Sequence, residues 1–230
     1  MQVRVGKAGV RAVAAVTLAA VLGGCAGAGH GTGKDPASTH AAGAGTKAPA
    51  TVRGSTIGAA GSPCALPVRF DIAKDWKAES IDAGASAAKA SKGADDDLTG
   101  ALTDALLRQG PVTAACEIDA KPAGNIGFLR VWTGEAAHDD LRGVLRGFVA
   151  AEGDVSEETY RDFTADGGLH GVEVEYLYTS KLLDETKKES AFAVDTPDGP
   201  VVVHLGGMDT DEHDAMLPAY ELARRTVQAA

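Results

Sequence analysis

The residues with the most chemistry in this chain are few and scattered. Asp209, Asp211, His213 and Asp214 form one acidic run with a histidine in it, the pattern closest to a cation site. Consecutive acids before a helix more often cap it, because their oxygens accept from its unpaired first N–H groups. We therefore read the run first as a cap and second as a metal site. Arg130 shares one side of a strand with Phe128 and Trp132, and His170 and His204 lie at or in strands. Arg130, Trp132, His170 and His204 are thus candidate ligand contacts, while a strand-end arginine paired with an acid is the plainer reading of Arg130. No Gly-x-Ser-x-Gly, His-Glu-x-x-His or Cys-x-x-Cys occurs. Without a nucleophile motif beside a base or a metal motif, the sequence assigns no catalytic residue and calls for no cofactor; a carboxylate pair assembled across space stays open.

Three cysteines carry the rest of the chemistry. Arg4, Lys7 and Arg11 precede an apolar run from Ala12 to Leu22, interrupted only by Thr17. That run is shorter than the ~20 residues of a membrane span and has the shape of a secretory leader. It closes on Leu22-Gly23-Gly24-Cys25, which resembles the bacterial lipobox. The resemblance implies cleavage before Cys25, diacylglycerol on its thiol, palmitate-type acylation, and a protein lipid-anchored to the extracytoplasmic face of the cell membrane. Two acyl chains suffice for stable attachment. With Cys25 so used, Cys64 and Cys116 remain, and an oxidising exterior favours their pairing as a disulfide.

Charge sets the class of partner. The whole chain carries −10, and losing the cations Arg4, Lys7 and Arg11 with the leader leaves −13. Such a surface repels phosphate backbones, which excludes nucleic acid, and leaves the acyl chains to do the anchoring. The abundant Ala and Gly match a high-GC bacterial genome.

The elements that must position these side chains follow in order. Residues 1–24 are the leader and 25–63 a flexible Ala/Gly/Ser/Thr/Pro-rich tether, too poor in apolar side chains to pack. Residues 64–230 form one globular domain. Within it Val68–Ile72 alternates as a strand. Asp95-Asp-Asp97 opens a helix striped by Leu98, Leu102 and Leu106, most simply as charge at its positive end. Strands follow at 112–118 and 125–133, then a helix opened by Asp139-Asp140 with Leu141, Leu145, Phe148 and Val149 inward. A short edge strand at 160–164 and a strand at 169–179 come next. Pro197-Asp-Gly199 turns a hairpin between 189–196 and 200–205. The last helix follows the 209–214 run, with Pro218 in its first turn. The class is α+β, a mainly antiparallel sheet with helices on both faces.

The turn Phe70-Asp-Ile-Ala-Lys-Asp-Trp76, the closing hairpin, and the final helix ending Arg224-Arg-Thr-Val227 resemble the PsbP-like fold, and with the lipobox the LpqN-type lipoproteins of actinobacteria. The resemblance implies an αβα sandwich over roughly 64–229 and a non-enzymatic binding or accessory role at the cell envelope, with an envelope protein, glycan or lipid as partner. A wall- or lipid-directed hydrolase and a carrier of an apolar ligand are the alternatives.

Overall fold

The computed structural model describes residues 51–82, 107–136 and 140–230, all within one compact unit, Thr46–Ala230. The leader, Cys25 and the helix expected at 98–106 lie outside the described residues.

The main sheet is antiparallel throughout. Its order is β3 (Lys77–Ser80), β5 (Val112–Asp119), β6 (Gly127–Gly134), β10 (Gly199–Gly207), β9 (Glu185–Thr196), β8 (His170–Ser180) and β7 (Val155–Thr164), with β4 (Arg108–Gln109) beside β5. A smaller sheet pairs β2 (Val68–Ala73) with β1 (Arg53–Ile57) and β11 (Gln228–Ala229). Two α-helices are present among the described residues, α1 (Leu141–Ala150) and α2 (Thr210–Thr226).

Strand periodicity sorts the core. Val201, Val203 and Leu205 of β10 belong to one apolar cluster with Met216, Ala219, Tyr220 and Ala223 of α2. Val202 belongs to another, with Val144, Leu145, Phe148 and Val149 of α1. Successive side chains of a strand point to opposite faces, so β10, buried along its whole length, separates the two clusters. The Cys64–Cys116 disulfide, with Cα atoms 6.0 Å apart, ties the loop before β2 to β5 inside the first cluster.

Three expectations change. β1 lies inside the segment read as tether, so the folded unit begins before Cys64. Its first four residues are exposed, so it carries no apolar alternation; backbone pairing with β2 holds it. The last helix starts at Thr210, not after Asp214, because Asp209 caps it by accepting from the Glu212 N–H at 2.8 Å. Pro218 therefore sits inside α2 rather than in its first turn. Finally, the edge strand expected at 160–164 is the ten-residue β7.

Candidate functional site

Four consecutive residues at the head of β9, Lys187-Lys188-Glu189-Ser190, build polar clusters on both faces of the sheet. Period-two geometry sends Lys187 and Glu189 to the α1 face and Lys188 and Ser190 to the α2 face.

On the α1 face, Glu189 is the hub. Its Oε1 lies 2.7 Å from Lys187 Nζ and its Oε2 3.0 Å from His204 Nε2. Lys187 Nζ also donates to the Gly207 carbonyl at 2.6 Å. His204 Nε2 lies 3.3 Å from Tyr176 Oη and 3.8 Å from Glu152 Oε1, which accepts from Gln109 Nε2 at 2.8 Å. Burial by itself would push the Glu189 carboxyl up; the His204 hydrogen bond, with the His204 and Lys187 charges, outweighs it and brings the group below its usual value. Burial would likewise push His204 down; the bond to Glu189 and the charges of Glu189 and Glu152 carry it up instead. Burial, then the charges of Glu152 and Glu189, holds the Tyr176 phenol well above its ordinary value. A buried ion pair is tolerable only when its hydrogen bonds are satisfied, and these are.

On the α2 face, Ser190 Oγ lies 2.9 Å from His213 Nε2, and His213 Nδ1 lies 3.2 Å from Asp214 Oδ1. Lys188 Nζ donates to both Asp214 oxygens, at 3.2 and 3.0 Å. A hydroxyl, an imidazole and a carboxylate in this connectivity are the parts of a nucleophilic triad. Ser190, however, has 0% exposure. Ser190, His213 and Asp214 border a hollow of about 280 Å³, but with no exposed surface on the serine its hydroxyl serves here to satisfy a buried imidazole. Burial lowers the His213 pKa, with the Asp214 bond only partly opposing it.

The structure distributes the candidate residues as follows. Arg130 and His204 are cross-strand neighbours on the α1 face. Arg130 forms an ion pair with Glu117, its Nε donating at 3.1 Å, and its guanidinium lies 4.4 Å from the Phe128 ring centre. Trp132 is buried, with its ring 5.5 Å from Phe148 of α1. His170 is exposed beside Thr164, at the other end of β8 from Tyr176 and Tyr178. The acidic run acts as a cap, with Asp209 on the Glu212 N–H, and as a partner for Lys188 through Asp214. No group of three metal-ligating side chains converges among the described residues. Lys187, Glu189, Ser190, Glu152 and Tyr176 were not singled out from sequence. The signal was there in a Lys-Lys-Glu-Ser run leading directly into the apolar stretch Ala191–Val194.

An apolar groove of about 500 Å³ adjoins the Glu189 cluster, lined by Ile126, Phe128, Gly206, Gly207 and Met208, with Asp119 and Lys121 at its rim. A smaller hollow of about 260 Å³ shares Phe128, Gly206 and Gly207 with it and reaches Lys187, Glu189 and His204. Gly206 is required here: a Cβ would stand 2.8 Å from the Phe128 ring. Concave apolar surface beside a few fixed polar groups is the usual make-up of a small-ligand site.

The profile of a protein family described as "Uncharacterised lipoprotein" matches residues 34–227. The solution structure of cyanobacterial PsbP (CyanoP) from Synechocystis sp. PCC 6803 is similar at 14% identity, covering 77% of this chain and 98% of that chain, with a TM-score of 0.44. No curated protein sequence matches the chain. No helix among the described residues is long and apolar enough to cross a membrane.

Proposed function

The chain belongs to the family described as "Uncharacterised lipoprotein", and on that footing we propose that it is an extracytoplasmic binding module, anchored to the cell membrane by acyl chains on Cys25 and doing no chemistry of its own. The observation that carries the binding role is the apolar groove between Ile126, Phe128 and Met208, open to solvent yet backed by the closed Glu189 cluster. Ile126 and Met208 are both exposed there, where an isolated soluble domain would gain by covering them. The ligand side of the pair is an apolar group, from an envelope lipid or an apolar protein segment. The burial of Ser190 supports a binding role over hydrolysis. The LpqN-type reading, with a PsbP-like αβα layout and an actinobacterial source, belongs to the same proposal; the sharing of alternate β10 residues between the α1 and α2 clusters favours that layout.

The test is binding of an environment-sensitive apolar dye to the full chain. The expected result is fluorescence enhancement that added fatty acid competes away and that the paired change Ile126→Asp, Met208→Asp, at exposed positions of the groove wall, removes without unfolding the protein. Equal enhancement in that variant would overturn the groove as the site. Anchoring is tested separately: Cys25→Ser should move the protein from the membrane to the soluble fraction.

A further inference from the structure

Among the described residues five large apolar side chains stand exposed: Val52, Ile126, Leu182, Leu183 and Met208. Topology places all of them at one end of the domain. Ile126 precedes the first residue of β6 and Met208 follows the last of β10, and the two are joined by the Met208 N–H donating to the Ile126 carbonyl at 3.0 Å. Leu182 and Leu183 form the turn between the end of β8 and the start of β9, strands adjoining β10 at that same end. The Val52 carbonyl accepts from the Lys74 N–H, three residues before Lys77, which pairs with Asp119 at the end of β5. The opposite end, with the β9–β10 turn at Pro197-Asp198, carries none of them.

At this end the β8–β9 hairpin reaches beyond its neighbour β10. Ser190 pairs with Leu205. Beyond that pair β9 has five more residues, Glu185–Glu189, and β10 only two, Gly206 and Gly207. At ~3.3 Å per residue the hairpin overruns its neighbour by about 10 Å. Its tip is Leu182 and Leu183, exposed to 93% and 69%. Lys181 is engaged by Asp154 at 2.6 Å, and Asp184 and Glu185 follow, so the tip carries no surplus of positive charge.

We infer that this hairpin tip docks into the surface of the bilayer that holds the protein, with Leu182 and Leu183 inserted among the acyl chains and Ile126 and Met208 turned toward the membrane. The inference rests on the lipoprotein reading. The described chain begins beside Val52, at this same end and 27 positions after Cys25, so the link to the anchor joins the domain at the end that bears the exposed leucines. Two adjacent exposed leucines at the tip of a hairpin each gain from leaving water. With a net charge of −13 after the leader, attraction to anionic headgroups cannot be the driver; the contact is apolar and holds on zwitterionic lipid. The groove then opens toward the membrane.

The experiment uses the full chain in vesicles of phosphatidylcholine brominated along the acyl chains, with Leu183→Trp as the reporter. The parent's own tryptophans, Trp76 and Trp132, are buried, so the added emission is read against the parent. We expect the Leu183→Trp increment to be quenched by half or more, at low and high salt alike. Asp198→Trp at the opposite end should be unquenched, and adding Leu182→Asp should cut the Leu183→Trp quenching at least twofold. Cosedimentation with the vesicles separates the two failures: protein left in the supernatant overturns the lipid anchoring on which the inference rests, and quenching is read on the sedimented protein alone. In that fraction, quenching of Leu183→Trp no greater than that of Asp198→Trp would overturn the proposal. So would blue-shifted emission without bromolipid quenching, which would mean that protein, a second copy or another chain, covers the tip.

Discussion

Replacing Glu189 by Gln keeps its shape and removes its charge. In the native fold that carboxylate accepts from Lys187 at 2.7 Å and faces His204 at 3.0 Å, at 4% side-chain exposure. The change takes the counter-charge from the Lys187 ammonium, leaving it neutral acceptors such as the Gly207 carbonyl, and removes the main group that holds the His204 pKa up. Breaking one side of a buried pair costs about 3–5 kcal/mol; Lys187, at 21% exposure, regains some water, so we expect about 3 kcal/mol. With a urea slope of ~2 kcal/mol per molar, the unfolding midpoint should fall by about 1.5 M. The pH dependence follows from the two directions. The folded pKa of Glu189 is below its ordinary 4.5, so its contribution is present above 4.5 and lost as pH falls through the folded value. The folded pKa of His204 is above its ordinary 6.5, so its contribution is present below 6.5 and lost as pH rises through the folded value. Both are in force between pH 4.5 and 6.5. The difference between parent and Glu189→Gln should therefore be greatest near pH 6 and shrink above the folded His204 value. The assay is urea unfolding at a series of pH values, with NMR titration of the His204 ring. A loss below about 1 kcal/mol with an unmoved His204 titration would refute the view that this cluster holds charged, mutually stabilising groups.

Three further outcomes follow from the same structure. A fluorophosphonate probe should leave Ser190 unlabelled, while Ser190→Ala should lower stability by about 1–3 kcal/mol by orphaning His213 Nε2; labelling at Ser190 would revive the hydrolase alternative. The paired change Cys64→Ser, Cys116→Ser opens a loop spanning 52 residues of sequence separation and should cost about 4 kcal/mol in chemical denaturation, whereas an unchanged midpoint would mean the bridge constrains nothing. Asp209→Ala should cost about 1 kcal/mol by removing the α2 cap, and no loss by the same assay would contradict the cap role.

Much of the sheet was legible because its strands are buried on a regular period. Val112–Ile118 alternates with small residues, and the Pro197-Asp-Gly199 turn marks the β9–β10 hairpin, so these elements and the pairing of Cys64 with Cys116 agree with the structure. β1 was not legible, since a strand that buries only Ile57 leaves no pattern to read. The start of α2 was misplaced because a proline commonly marks a first turn, whereas here the Asp209 cap sets the boundary eight residues before it and the helix forgoes the hydrogen bond Pro218 cannot donate. The site was half visible. Arg130 and His204 fell on one face because even-numbered β6 and β10 residues meet across the ladder. Trp132 shares that face but lies under α1, and single-sequence periodicity cannot say which stretch of a face a helix covers. Glu189 and Lys187 escaped notice because burying two charged residues becomes tolerable only when the fold brings His204 and the Gly207 carbonyl to them.

Membrane attachment through Cys25 is the claim on which the extracytoplasmic setting and the orientation of the domain depend. Mass spectrometry of the N-terminal peptide from membrane-extracted protein tests it directly. That peptide should begin at Cys25 and carry a diacylglyceryl group on sulfur; an unmodified Cys25, or residues 1–24 still attached, would contradict membrane attachment through this residue.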